Sequence, residues 1–248
     1  MTDYVSIYPS LLHVSDGFQG ILLDAFGVFW GGNDIGPILG AKETMQQLVE
    51  QGKIVGILSN SSLLVAKEVD KFARHGFIQG IHFHFMITSG EVSRNLALHN
   101  ILPFHCPNRR FWVFGGGHPR GAPHKDIFHE TGYIETPHPE EADFIFIGIP
   151  HVKGEDQIDT IPFQKLICEL EHKHLPMLCT NPDHFVQEGN PPKIVIRQGS
   201  IAALYEAQGG VVHYIGKPYD KVYTYAFEQF QKAGVQEKAE ILMCGDMR

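Results

Sequence analysis

The chain has 248 residues, 43% of them hydrophobic and 19% charged. That is enough apolar material for a packed core in one large or two small domains, and it argues against a disordered chain. Twenty Lys and Arg stand against 28 Asp and Glu, a net charge of −8 with no long basic run; this argues against nucleic-acid binding and leaves a small anionic ligand open, since a few placed donors override a negative surface.

In chain order, "GILLDAF" (20–26) is an unbroken apolar run ended by one carboxylate, as expected of a strand covered on both faces. "AKETMQQLVEQG" (41–52) sets Met45, Leu48 and Val49 on one helical face and stops at Gly52. "KIVGILSN" (53–60) is the next strand, "LLVAKEVDKFARHG" (63–76) an amphipathic helix, and "FHFMIT" (83–88) a strand. "TSGE" (88–91) reads as a capping box that opens a further helix. After the irregular "LPFHCPNRR" (102–110) a second alternating series begins. It runs through a strand at 111–114, a helix near 124–131, a strand at 143–149, a long helix near 157–173 and a strand at 176–180. The first pattern then returns, with a helix at 200–210, strand and loop in "VVHYIGKP" (211–218), a helix at 220–234 and a last strand in "EILMCGD" (240–246). This order predicts an α/β fold with a mainly parallel sheet and a second domain inserted in the middle.

Four of these strands end in polar groups: Asp24, Ser59-Asn60, Lys217 and Asp246. Ligands of open parallel sheets bind outside the carboxyl ends of the strands. A carboxylate, a hydroxyl, an ammonium and a second carboxylate are a coherent set for phosphate chemistry. Asp24 can be a nucleophile, Ser59 and Lys217 can donate to phosphate oxygens, and Asp24 with Asp246 can hold Mg²⁺. Each also has a plain structural use: a turn or helix cap for Asp24, Ser59 and Asp246, a solvated loop lysine for Lys217.

The motifs "DAFGVFW", "LSNSS", "TNPD" (180–183), "GKPYDKV" (216–222) and "CGDMR" (244–248) resemble, in that order, those of the haloacid dehalogenase (HAD) superfamily. Their spacing resembles subfamily IIA, the p-nitrophenylphosphatase-like and pyridoxal-phosphate-phosphatase-like enzymes, and in particular a branch with an aromatic two residues after the nucleophile. The resemblance implies a Rossmann-like core (1–91 and 211–248) and an inserted α/β cap (92–210). It implies Asp24 as a nucleophile that forms an aspartyl-phosphate, Mg²⁺ held by Asp24, the Phe26 carbonyl and Asp246, and phosphate held by Ser59, Asn60 and Lys217. Asn181 and Asp183 are placed on the cap side, to contact substrate or core, or to serve a turn. A small phosphorylated metabolite is the implied substrate, and the cap is a surface through which such proteins form homodimers.

Two departures matter. Most phosphatases of the superfamily carry Asp-x-Asp, the second Asp being the general acid and base; here that position is Phe26, which has no proton to give. A carbon-centred, dehalogenase-like hydrolysis and a weakly catalytic phosphometabolite-binding protein are therefore the alternatives to a phosphatase. The sequence also stops at Arg248, two residues past Asp246; if the chain ends there, the core is expected to lack its final elements.

The remaining features point away from other classes. The first twenty residues lack a basic start and apolar core, and no apolar run reaches the ~18 residues of a membrane span, so a cytoplasmic protein without membrane contact is expected. Cys106, Cys168, Cys179 and Cys244 form no CxxC pair and read as buried free thiols. The 15 histidines, including the alternating "HFHF" at 82–85, read as surface or satisfied groups. "FGGGHPRG" (114–121) lacks the spacing of a dinucleotide loop and falls where a cap loop is expected.

Overall fold

The computed structural model describes residues 10–32, 35–189 and 191–246; the first nine residues and the chain end at 247–248 lie outside them. The chain divides into two compact units, one of Met1–Leu58, Val69–Met86 and Tyr225–Arg248, the other of Ser59–Glu68 and Ile87–Thr224.

The first unit is organised by Gly20–Leu23, a strand buried at every residue. It pairs in parallel with Ile241–Cys244 on one side and with Ile54–Ile57 on the other. The strand Phe85–Thr88 completes the sheet, in the order 241–244, 20–23, 54–59, 85–88. Burial on both faces explains why the sequence there runs apolar instead of alternating. The glycines Gly20 and Gly56 lie on one face and leave room for two rings. A Cβ on Gly20 would come within 2.7 Å of Phe230, and one on Gly56 would strike the Phe85 ring. Phe85 and Phe230 meet edge to face there at 4.9 Å. Elsewhere in this unit Phe29, Trp30, Phe72 and Phe77 form a fully buried aromatic cluster.

The second unit has its own five-stranded parallel sheet, in the order 212–214, 177–179, 144–147, 110–114, 134–135. One face carries Phe111, Phe128, Tyr133 and Phe144 in mutual ring contact. The other carries Phe114, Ile145 and Ile147 under Ile167 and Leu170 of the helix Gln164–Glu171 and Ile201 and Tyr205 of the helix Gln198–Ala207. The buried Tyr205 hydroxyl finds its acceptor in the Leu175 carbonyl at 2.7 Å. Both units are thus α/β, each with a parallel sheet as its core.

Three local expectations change. The strand at 212–214 belongs to the second sheet: the Ile215 N–H bonds the Cys179 carbonyl and the Met177 N–H bonds the Val211 carbonyl, extending the ladder at both ends. The helix expected near 157–173 begins only at Gln164, because Ile161–Phe163 forms a tight turn around Pro162. Of "HFHF" only Phe85 lies in the strand, which starts there. His82 accepts from the Ile78 N–H and His84 from the Val55 N–H, so both rings are structural.

Two hairpins were not anticipated, His151–Val152 with Glu155–Asp156 and Phe185–Glu188 with Lys193–Ile196. An ionic network centred on a buried arginine joins them. Arg197, nearly all of its side chain inaccessible, bonds Asp156 at 2.9 Å and Glu188 at 2.8 Å, and Arg120 from the glycine-rich loop bonds the same two carboxylates. Of the cysteines, Cys179 is buried and Cys106 and Cys244 are half-buried, but Cys168 is exposed. The Gln164–Glu171 helix turns Ile167 and Leu170 to the core and leaves Cys168 outside.

Two outcomes follow. Gly56→Ala must displace the Phe85 ring, and equilibrium denaturation should show a loss of about 1–3 kcal/mol. Burial pushes the His124 imidazole below its ordinary pKa, against the pull of Glu135. The unfolded chain therefore takes up a proton near pH ~6.5 that the folded chain refuses, and stability falls as pH drops from 7 towards 5. Removing the titration with His124→Gln should flatten that decline.

Candidate active site

In the first unit the buried strand stops at Leu23, yet pairing continues one residue further: the Asp24 N–H donates to the Cys244 carbonyl at 2.8 Å. The Asp24 carboxylate therefore leaves the sheet from a fixed backbone, half-buried at the strand's carboxyl end. One of its oxygens accepts from the Ala25 N–H at 2.7 Å. The chain then reverses tightly. The Ala25 carbonyl collects the N–H groups of Phe29 and Trp30, and the Gly27 N–H bonds the Trp30 carbonyl. Gly27 has φ +77°, and a Cβ there would collide with the Asp246 carboxylate. Glycine is thus required both by the turn and by the close approach of Asp246.

That contact brings Asp246 beside the 24–27 turn. Asp24 and Phe26 follow one strand of this sheet and Asp246 follows the strand paired with it. Their donors are all hard oxygens: two carboxylates and the Phe26 carbonyl, to which no hydrogen bond is donated among the described residues. Such a set fits Mg²⁺, which keeps several waters and takes one or two carboxylates. No group of three or more His, Cys, Asp or Glu side chains is placed for a metal among the described residues.

The second unit gathers Ser59, Asn60, Asn181, Asp183 and Lys217. Ser59 ends its strand with its hydroxyl buried, accepting from the Ser61 N–H at 3.2 Å. Asn60 joins three stretches. Its amide NH₂ donates to the Asp183 carboxylate at 2.9 Å and to the Lys217 carbonyl at 3.1 Å, while its oxygen accepts from the Lys217 N–H at 2.6 Å. The side chain is thereby fully engaged, and it fixes the backbone that carries the Lys217 ammonium. Gly216, at φ +149°, lets that loop close, since a Cβ there would lie 2.5 Å from Pro182 and 2.8 Å from the Asn60 oxygen.

Asn181-Pro182-Asp183 forms the turn its sequence suggests. The Asn181 side-chain oxygen accepts from the Asp183 N–H at 3.0 Å, freeing the Asp183 carboxylate to meet Asn60. The Ser59–Leu63 loop is held from the other side by the helix Ser89–Leu98. The Gly90 N–H bonds the Ser61 carbonyl, and the Thr88 hydroxyl bonds the Leu63 carbonyl at 2.7 Å. The capping box is half made: Thr88 caps the Glu91 N–H, but the Glu91 carboxylate accepts from the Val65 N–H instead.

Known proteins resemble this chain in sequence and fold. Residues 21–133 match the model of the haloacid dehalogenase-like hydrolases. A haloacid dehalogenase-like hydrolase from Brucella suis 1330 superposes with a TM-score of 0.80 at 23% identity, covering 97% of this chain and 82% of that one. The 4-nitrophenylphosphatase of Thermotoga maritima superposes with a TM-score of 0.65 at 26% identity, over 95% and 80% of the two chains. The chain is thus similar to haloacid dehalogenase-like hydrolases, the family match covering somewhat less than half of it. Chronophin from Rattus norvegicus is 43% identical over 101 residues, a match spanning 40% of this chain and 32% of that relative. The match therefore spans about a third of the curated relative. Among the described residues no helix is long and apolar enough to cross a membrane.

Truncating Asn60 tests the second cluster. Asn60→Ala leaves the half-buried Lys217 N–H without its acceptor and should lower stability by about 1–2 kcal/mol in denaturant titrations. Asn60→Asp should rescue nothing, because it sets a carboxylate against Asp183.

Proposed function

We propose that this protein is a HAD-type, Mg²⁺-dependent phosphatase of a small phosphorylated metabolite, working through an aspartyl-phosphate on Asp24. The observation that carries the reading is the Asp24 carboxylate fixed at the mouth of a buried strand, with the Asp246 carboxylate seated against Gly27 of the same turn. The name of the Thermotoga maritima relative, a 4-nitrophenylphosphatase, supports it.

In this reading Asp24 attacks phosphorus, and the Ser59 hydroxyl and Lys217 ammonium donate to the phosphate oxygens as charge develops. Asn60 holds the Lys217 loop, and the Asn181–Asp183 turn buttresses Asn60. Mg²⁺, held by Asp24, Asp246 and the Phe26 carbonyl, would neutralise phosphate charge. Residues 92–210 act as the cap that shields the reaction from water and selects the substrate.

The test is hydrolysis of p-nitrophenyl phosphate, whose leaving group needs little protonation. Turnover should vanish with a chelator and return with Mg²⁺. Asp24→Asn should reduce kcat by roughly 10⁴-fold, and Lys217→Met by about 10²–10³-fold. Halide release from a haloacid without Mg²⁺ would overturn the reading in favour of the carbon-centred hydrolase that Phe26 suggests. Binding of phosphate esters without any turnover would make the protein a sensor.

A further inference from the structure

The sheet of the second unit reverses its chain order at the strand 110–114. The next strand, 134–135, adds on one side of it, and 144–147, 177–179 and 212–214 add on the other. Sheets of this kind take ligands outside the carboxyl ends of their strands, near such a reversal. Here that end opens into a cavity of about 310 Å³. The opening has a local cause. Strand 110–114 pairs with 134–135 only through Arg110 and Phe111. The Thr136 N–H still reaches the Phe111 carbonyl at 2.8 Å, but Pro137 has no N–H to carry the ladder on, and the strands part. Val113 and Pro137 are left as apolar walls, with Trp112 beside them.

Polar groups of two kinds line the rest of the cavity. The donors are the N–H groups of Gly116 and Gly117, which reach no acceptor among the described residues, and the exposed Lys125, which forms no ion pair among them. The acceptors are the Glu135 carboxylate and the ring of His124. That ring is buried, with Nε2 3.3 Å from a Glu135 oxygen and Nδ1 without any partner among the described residues. Facing a carboxylate, Nε2 keeps the proton of the neutral imidazole, which leaves Nδ1 as an acceptor with no donor.

We propose that this cavity binds a free amino acid, its carboxylate on the Gly116 and Gly117 N–H groups and the Lys125 ammonium, its ammonium on Glu135 and His124. A simple anion would leave the Glu135 carboxylate and the His124 acceptor unanswered. A simple amine would leave the loop N–H groups and Lys125 unanswered. A zwitterion answers both sets, and its three ammonium protons can serve a carboxylate and an imidazole together. The volume lies at the small end of ligand pockets and suits a molecule of this size, with its side chain against Val113 and Pro137. The cavity shares no lining residue with the Asp24 or Asn60 clusters, and the proposal does not depend on the phosphatase reading.

The experiment titrates the protein with each common amino acid singly, by calorimetry and by tryptophan fluorescence. Trp112 lines the cavity, and the only other tryptophan, Trp30, is buried in the first unit. At least one amino acid should bind saturably at millimolar concentration or below. Its N-acetyl and amide derivatives should each bind about tenfold more weakly, since each loses one charged partner. Glu135→Gln should erase the penalty for acetylation and Lys125→Met the penalty for amidation. Both side chains are exposed, and thermal melts verify that the variants fold. Absence of binding by any amino acid would overturn the proposal. So would derivatives that bind wild type as well as the parent does, a comparison that needs no variant. Penalties that persist in both variants, or a fluorescence change that survives Trp112→Phe, would place the binding elsewhere on the molecule and overturn it too.

Discussion

One hydrogen bond, from the Asp24 N–H to the Cys244 carbonyl, sets the terms for the first unit. It carries parallel pairing one residue past the last strand residue, so the chain cannot swing before its carboxylate is presented. Everything near it follows from that fixed exit. The reversal through Ala25 needs a left-handed glycine at 27, and the space above that glycine is filled by Asp246 from the neighbouring strand. Two carboxylates are thereby held beside one turn, an arrangement that suits a hard cation. Strand burial, turn chemistry and carboxylate placement are one constraint seen at three scales.

The second unit solves a different problem. Ser59, Asn60 and Lys217 lie on loops, and loops do not hold a side chain to a few tenths of an ångström without help. Here the help is a single amide. Asn60 has two donors and one acceptor engaged across chain separations of more than a hundred residues, and the Asn-Pro-Asp turn exists in the form needed to receive one of them. Such a hub is brittle: any change in one loop is felt by the other two.

Much of this was legible in the sequence because it is local. The apolar run before Asp24, the amphipathic spacing of the helices at 41–50 and 65–74, and the Thr88 cap are short-range patterns whose physics needs no partner. What escaped is what depends on distant partners. The strand at 212–214 has the composition to join either sheet, and only its pairing with Met177–Cys179 decides. The hairpin at 185–196 carries Gln and Glu among its apolar residues, because its Glu188 serves the buried Arg197 and not solvent. Lys71 reads as one more charge on a helix face until Phe26 and Trp30 are folded beneath it. Cys168 illustrates the reverse error: an apolar neighbourhood in the chain says nothing about which side of a helix a residue occupies.

That last position has a practical side. Burial pushes the Cys106 thiol up to about 12 and raises those of Cys179 and Cys244 as well. The thiolate is the form that attacks thiol-reactive reagents, so these three cysteines are poor targets in the folded protein. Cys168 stands in solvent on the outer face of its helix. A maleimide dye should therefore mark the molecule at one known point of its second unit, without engineering, and give a ready optical reporter for that unit.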